Sequence, residues 1–260
     1  MPAFESFDAD FTDPVIALFN PQNLPLGPLA MNCIRHHTRL PDDGSNSPAD
    51  MVIVLAPTGA DLPLLPAQTA TTGLCLAVLP PDSPAELRAA LAEWADCLIL
   101  ACPEQYSPLL RDLTEPVTRP SLIGVDFADL RTVLCSGKGM ARYHSGAGED
   151  GLNSDSLPGY LSRSFNACFS SQRISVLAVL TMHLSTGIED FNATASYFRN
   201  LEPDGWQVSS IRFAHENEPM RVGCFVVEEV SLPVQRADDK QPSPDSKYLD
   251  VPAFLRQNAE

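Results

Sequence analysis

Basic residues are scarce in this chain. It has 17 Lys and Arg against 33 Asp and Glu in 260 residues, a formal net charge of −16. Nucleic-acid binding through phosphate contacts needs clustered Lys and Arg, so the composition argues against that function. Long apolar runs are also missing: no stretch of about 18 apolar residues predicts a membrane span, and no signal-peptide pattern opens the chain. These absences favour a cytoplasmic protein without direct membrane insertion.

Metal-ligand and disulfide patterns are equally absent. The seven cysteines form no C-x-x-C pair, and most stand in apolar runs. They are Cys33, Cys75, Cys97, Cys102, Cys135, Cys168 and Cys224. Buried free thiols in a reducing cytosol are the favoured interpretation, with disulfides or zinc as the alternative. The five histidines show no H-E-x-x-H spacing, and no Ser-His-Asp arrangement is evident, so no metal site is predicted.

Continuous apolar runs alternate with helix-like segments through the first half of the chain. This alternation predicts an α/β fold with a mainly parallel sheet, whose strands are buried on both faces. The predicted strands are 15–19, 50–56, 73–79 and 96–101. One helix is predicted over 28–37. A second is predicted to begin with Ser83 as N-cap, Pro84 at N1 and Glu86 at N3, and to end at Trp94.

The second half predicts a smaller α/β lobe with a mixed sheet. The predicted strands are 138–144, 175–183, 206–214 and 220–230, with a hairpin-like turn at 216–219. The predicted helices are 127–135, 157–170 and 187–201, and a polar loop is predicted over 145–156. The segment Ser136-Gly137-Lys138-Gly139 departs from the G-x-x-x-x-G-K-[ST] phosphate loop, so it predicts a turn before a strand.

The central segment 118–133 carries two carboxylates three residues apart. Its sequence is Thr-Arg-Pro-Ser-Leu-Ile-Gly-Val-Asp-Phe-Ala-Asp-Leu-Arg-Thr-Val. If Asp126 is an N-cap, Asp129 lies on the same face one turn into a new helix. The segment resembles the synergy loop of the FtsZ family, the bacterial tubulin-like division GTPases. The resemblance implies a catalytic role for Asp126 and Asp129 only in trans, where the loop helps position the water that attacks a neighbouring subunit's GTP.

A second resemblance lies in residues 248–256, Tyr-Leu-Asp-Val-Pro-Ala-Phe-Leu-Arg. The preceding segment, 231–246, is polar and Pro-rich and predicts a disordered linker. Apolar residues after such a linker indicate a peptide that folds on binding to a partner, with packing on its own domain as the alternative. FtsZ proteins end in a similar peptide, which binds membrane anchors such as FtsA and ZipA. The resemblance implies partner contacts through Tyr248, Leu249, Asp250, Val251, Pro252, Phe254, Leu255 and Arg256.

The glycine-rich phosphate loop of the FtsZ family has no counterpart here. That family places Gly-Gly-Gly-Thr-Gly-Thr-Gly after the strand that resembles 50–55, because backbone amides must approach phosphate oxygens closely. Residues 56–66 are Ala-Pro-Thr-Gly-Ala-Asp-Leu-Pro-Leu-Leu-Pro, with one glycine, three prolines and the acidic Asp61. The chain is therefore expected not to bind GTP as the family does, and no cofactor is predicted unless the divergent loop still binds GTP.

Two further departures concern the centre of the chain. Only a short helix fits between 103 and 118, where the family has a long one. Gly124 stands where the family's synergy loop has Asn, which leaves the function of that side chain without a counterpart.

These features predict a truncated FtsZ-like sheet, a smaller α/β lobe and a disordered tail. The predicted parts are a flexible arm at 1–13, a degenerate N-terminal domain at 14–117, a central loop and helix at 118–135, a C-terminal domain at 136–230, a linker at 231–246 and a docking peptide at 247–260. The leading hypothesis is a GTPase-inactive, FtsZ-like protein at the division septum that binds FtsZ and modulates Z-ring assembly. The alternatives are a divergent, active FtsZ-type GTPase, an adaptor that acts only through its tail, and a product with no selected role.

Overall fold

The strands and helices come from the parts of the chain that the structure, a computed structural model, describes. These parts are residues 14–26, 34–37, 49–65, 73–119, 121–136, 139–147, 174–182, 192, 196, 207–214 and 220–228. The strands are β1 Ile16–Phe19, β2 Ile34–His37, β3 Met51–Leu55, β4 Leu74–Leu79, β5 Cys97–Leu100, β6 Met140–Ala147, β7 Ile174–Met182, β8 Gln207–Phe213 and β9 Arg221–Glu228. The helices are α1 Ala85–Trp94, α2 Tyr106–Thr118 and α3 Phe127–Leu134, with 3-10 turns at Leu62–Leu64 and Pro103–Gln105.

The nine strands form one sheet in the order β2-β1-β3-β4-β5-β6-β9-β7-β8. The first six strands in this order are mutually parallel. The apolar runs of β1, β3, β4 and β5 are fully buried because helices cover both faces of this half. On one face α2 and α3 bury Leu109, Leu113 and Leu130, and on the other α1 buries Leu91 and Trp94. The predicted α/β class is confirmed.

The second half of the sheet is mixed, as predicted, but its order differs from the expected one. Strand β9 lies between β6 and β7 and is antiparallel to both, and β8 pairs in parallel with β7. The hairpin predicted for these strands is therefore wrong, because β8 and β9 are not neighbours, and the predicted turn at 216–219 lies outside the described residues. Strand β6 also continues to Ala147, so residues 145–147 are in a strand instead of the predicted loop.

Two local predictions in the first half are also wrong. Residues 34–37 form the edge strand β2, paired in parallel with β1 from Ile16–Ile34 to Phe19–His37, instead of the end of a helix. The N-cap position of α1 is Pro84 instead of Ser83, whose hydroxyl donates a hydrogen bond to the Pro80 carbonyl over 2.8 Å. A Pro at this position offers no side-chain cap, so α1 begins without one.

A buried ionic cluster lies where α2 crosses the second half of the sheet. Asp112 of α2 is completely buried and accepts a hydrogen bond from the Tyr143 hydroxyl over 2.5 Å. Arg221 of β9, 8% exposed, forms an ion pair with the same carboxylate. A Cβ atom at Gly223 would collide with that carboxylate, so glycine is needed for its close approach. Removing one partner of such a buried pair costs about 3–5 kcal/mol of stability.

His144 of β6 makes the stability of the fold sensitive to acid. Burial, and then the positive charge of Arg142, lower the pKa of this imidazole. The unfolded chain, with a histidine pKa of about 6.5, therefore binds more protons than the folded chain below that pH. The stabilising effect of the neutral imidazole is present above about pH 6.5 and declines on acidification.

We expect the thermal unfolding midpoint to be lower at about pH 5.5 than at about pH 7.5, and to fall less in His144→Gln. Circular dichroism checks this, and equal falls in the two proteins would contradict it.

Several predicted features lie outside the described residues. They are the arm at 1–13, the start of the helix at 28–37, the Gly137-Lys138 turn, the helix at 157–170, the linker at 231–246 and the docking peptide at 247–260. Within the helix predicted over 187–201, the two described residues, Asn192 and Ser196, are helical.

Candidate functional site

The two carboxylates of the central segment meet at the start of α3. Asp126 is the N-cap, and its carboxylate accepts a hydrogen bond from the Asp129 amide over 2.8 Å. The Asp129 carboxylate in turn accepts one from the Asp126 amide over 3.1 Å. This reciprocal capping box satisfies two amides that the helix itself leaves without partners. The structure therefore brings the two predicted residues together, on an exposed surface.

The segment before α3 is held against the edge of the sheet. The Leu122 amide donates a hydrogen bond to the Ile211 carbonyl of β8 over 2.8 Å, and the Ile211 amide donates to the Ile123 carbonyl over 3.4 Å. The Ser210 hydroxyl also donates to the Ile123 carbonyl over 3.3 Å. These bonds form a short antiparallel bridge on the free edge of β8. The central segment is thus fixed by backbone pairing at one end and by the helix cap at the other.

The surface of this segment is apolar next to the capping box. Leu122 is 59% exposed and Ile123 is 36% exposed. In the described parts of the chain, the one other exposed large hydrophobic residue is Leu64, which is 51% exposed. Gly124 stands between these apolar residues and Asp126, and a Cβ atom there would meet the Ser121 hydroxyl at an ordinary 3.7 Å. The backbone therefore accepts a side chain at position 124.

Arg131 ties α3 to the amino-terminal edge of the parallel strands. Its guanidinium donates a hydrogen bond to the Gly73 carbonyl over 3.2 Å and lies 3.9 Å from the Asp96 carboxylate. Gly73 and Asp96 immediately precede β4 and β5. The Asp96 carboxylate also accepts a hydrogen bond from the Cys75 amide over 2.8 Å. The ion pair is half-exposed and contributes little stability by itself, so its main effect is to orient α3.

In the turn after β3, the side chain of Asp61 binds the backbone of the same turn. The Thr58 amide and the Thr58 hydroxyl each donate a hydrogen bond to one oxygen of the Asp61 carboxylate over 2.7 Å. Ala56 has a positive φ of 45° where the chain leaves the strand. No atom lies within 4 Å of a Cβ built at Gly59, so the one glycine of this turn serves no close approach. The Thr58 amide is therefore already bound within the turn by the Asp61 carboxylate.

The carboxyl edge of the parallel strands is acidic in the described loops. Loops 20–26, 56–65, 80–83 and 101–105 follow β1, β3, β4 and β5 and contain no Lys or Arg. The pKa of the Tyr106 phenol is raised to about 12, chiefly by burial and then by Cys102, Asp82 and Glu104. The strand order β2-β1-β3-β4-β5 reverses between β1 and β3, the place where open α/β sheets bind ligands. A phosphate there would meet carboxylates without a compensating cation from these loops.

The capping box and the acidic edge lie at opposite ends of α2. This helix begins six residues after β5 ends and is 13 residues long, about 20 Å. The central segment begins at its last residue, Thr118. The chain therefore does not bring its own Asp126 and Asp129 to the turn at 56–65.

The contacts of Asp61, Ser210 and Ile211 were not predicted from the sequence, and only the first of them has a sequence signal. The Thr58-x-x-Asp61 spacing is that of a side chain that returns to a turn amide three residues before it. The Ser210 and Ile211 contacts have no local signal, because they join residues about ninety positions apart. Within the described residues no helix is long and apolar enough to cross a membrane, and no group of three or more His, Cys, Asp or Glu could hold a metal ion.

The fold matches solved structures of the FtsZ and CetZ proteins. No protein-family profile and no curated protein sequence matches the chain. A W319Y mutant of FtsZ from M. jannaschii superposes with a TM-score of 0.58 at 16% identity, over 70% of this chain and 66% of that one. An empty FtsZ dimer from the same organism gives 0.56 at 17%, over 70% and 64%. CetZ from Methanosaeta thermophila strain DSM 6194 gives 0.50 at 14%, over 70% and 62%.

The protein therefore has the tubulin/FtsZ-type fold. The match extends over slightly less than two thirds of each of those chains. Identities of 14–17% establish the fold alone.

Proposed function

We propose that the protein is a GTPase-inactive, FtsZ-like chain that binds the end of an FtsZ filament and modulates Z-ring assembly at the division septum. The observation that carries the proposal is the contrast between its two ends. The central segment and α3 form a built, solvent-exposed surface, whereas the turn after β3 is occupied by Asp61. A chain with one intact end and one altered end joins a head-to-tail polymer but does not extend it.

The acidic carboxyl edge supports the absence of GTP binding. Phosphate oxygens are bound by backbone amides at helix N-termini and by Lys or Arg. In this chain the Thr58 amide already donates to Asp61, and the loops of this edge supply carboxylates instead of cations. The FtsZ partner would supply the nucleotide, with Asp126 and Asp129 facing it from the next subunit.

The tail at 247–260, which lies outside the described residues, is proposed to recruit FtsZ anchors such as FtsA and ZipA. Its resemblance to the FtsZ docking peptide supports this part of the proposal. The tail and the folded part then bind different partners.

The central test uses two exposed leucines as a matched pair. We expect the protein at about one part in twenty of FtsZ to lower polymer mass by more than one-to-one sequestration explains, because it blocks growing ends. Leu122→Asp, on the central segment, should abolish the effect, whereas Leu64→Asp, on the 56–65 turn, should retain it. Both side chains are exposed, so neither change should alter stability by more than about 0.5 kcal/mol. Sedimentation and GTP turnover measure the outcome.

Three results would overturn the proposal. No effect on polymer mass or turnover would exclude action on filament ends. Loss of all activity on deletion of 247–260 would favour the adaptor. Micromolar GTP binding in equilibrium dialysis would favour the divergent GTPase, which the reversal of strand order between β1 and β3 also favours.

A further inference from the structure

We propose that the buried cluster of Asp112, Tyr143 and Arg221 positions the central segment, and thereby sets the affinity of the proposed FtsZ-binding surface. The inference rests on the proposed function for its second part only. The first part, that the cluster determines the position of the central segment, concerns this chain alone and needs no partner.

Helix α2 has a weak point near its carboxyl-terminal end. Pro116 lies inside this helix and has no N–H to donate to the carbonyl of Asp112, four residues earlier. The proline ring also crowds that carbonyl, which loosens the helix at this turn. The helix beyond Pro116 leads directly into the central segment. The last turn of α2 therefore lacks the backbone hydrogen bond to Asp112, although the Arg119 amide still donates to the Glu115 carbonyl over 3.0 Å.

The side chain of Asp112 fixes the helix at the residue whose carbonyl lacks this backbone hydrogen bond. Its carboxylate binds the Tyr143 hydroxyl of β6 over 2.5 Å and forms an ion pair with Arg221 of β9. Both bonds connect the weak point of the helix to the sheet. Because Gly223 has no side chain, the carboxylate approaches the strand closely, and a larger residue would push it away. The helix is thereby fixed to two strands at its weak turn.

The polar character of the cluster indicates that it positions α2 on the sheet more than it stabilises the fold. Buried ion pairs contribute little net stability compared with well-packed apolar residues, because both charges lose their hydration. In some proteins, directed polar bonds select one arrangement among several apolar packings. Burial, and then the charge of Asp112, raise the pKa of Tyr143 well above its usual value, so its hydroxyl remains a donor. The cluster is therefore suited to holding α2 in one register on the sheet.

The central segment is the part of the chain that this register determines. Leu122 lies ten residues beyond Asp112, and its amide donates to the Ile211 carbonyl over 2.8 Å. Strand β8 is separated from β9 by β7 alone. If α2 shifts on the sheet, the segment loses its alignment with Ile211. The exposed Leu122 side chain, proposed as a contact with FtsZ, shifts with it.

The test removes the ion pair without leaving a buried charge. The double variant Asp112→Asn with Arg221→Met keeps side chains of similar size, and Tyr143→Phe serves as a milder second variant. We expect the Leu122 amide to exchange with solvent roughly tenfold faster in the double variant, while amides of β3 and β4 keep their rates. Affinity for FtsZ should fall about tenfold in parallel. Hydrogen-exchange mass spectrometry and sedimentation binding measure the two effects.

The comparison between amides separates positioning from stability. A merely structural role would accelerate exchange in β3, β4 and the central segment together, or leave all of them unchanged. Either result, in the double variant or in Tyr143→Phe if the double variant fails to fold, would overturn the proposal. Faster exchange at Leu122 with no FtsZ binding by the unmodified protein would sustain the positioning role and reject the proposed function.

Discussion

Under the proposed function, asparagine in place of Gly124 is expected to let the protein complete the GTPase site of an FtsZ neighbour. The FtsZ synergy loop has Asn at this position, and the loop here lacks that side-chain amide. A Cβ at position 124 meets the Ser121 hydroxyl at 3.7 Å, so the backbone admits the new side chain. Loss of one positioned hydrogen-bond donor from an active site typically slows catalysis on the order of 10²-fold. We therefore expect Gly124→Asn to raise turnover at the mixed junction by roughly that factor.

The measurement needs a background in which FtsZ cannot complete its own site. FtsZ with alanine at its two synergy-loop carboxylates meets this need, because its GTP turnover then depends on the added chain. Gly124→Ala is the matched control, since it adds a Cβ without an amide and should leave turnover low. Equal turnover with the unmodified protein and with the Gly124→Asn variant would show that the absent amide does not limit hydrolysis.

The second large effect separates two functions of Asp126 and Asp129. Asparagine is as good an N-cap as aspartate, whereas alanine at an N-cap typically costs about 1 kcal/mol. The double variant Asp126→Asn with Asp129→Asn is therefore expected to fold as stably as the unmodified protein. Combined with Gly124→Asn, the two asparagine substitutions should nevertheless abolish the gained turnover, because both carboxylates are then absent.

Asp126→Ala is the contrasting variant. Loss of its hydrogen bond with the Asp129 amide should lower the unfolding midpoint by about 2–4 °C in a chain of this size. If the two-asparagine variant retains full turnover while Asp126→Ala unfolds earlier, the carboxylates serve only to cap α3. Thermal unfolding and a GTPase assay on the same preparations distinguish the two outcomes.

The strands that the sequence predicts correctly are those with a strong local signal. Runs such as Met51–Leu55 and Leu74–Leu79 are apolar throughout, because both faces of a parallel sheet are covered. Strand β2, Ile-Arg-His-His, has one apolar residue and lies at the sheet edge, where burial imposes no pattern. Edge strands of this kind are recognisable only from their partner.

The order of the second half depends on contacts that no local pattern encodes. Polar residues at 216–219 suit a tight turn, but β9 pairs with β6 and β7, and β7 separates it from β8. The same limit applies to the site. The capping box follows from the Asp126-x-x-Asp129 spacing, whereas Asp112 and Arg221 are 109 residues apart and meet only in the folded chain.

The junction between the two halves of the sheet has a mechanical consequence. Strands β5 and β6 share only the pairs Leu98–Met140, Ile99–Ala141 and Leu100–Arg142, whereas β6 and β9 are paired from Ala141–Val227 to Ala147–Arg221. Among the described strand pairs this one has the fewest paired residues, so it offers the fewest backbone hydrogen bonds against shear between the halves. Helix α2 starts beside the parallel strands and is fixed to β9 through Asp112. It therefore spans this junction and connects the two halves of the sheet by a second route.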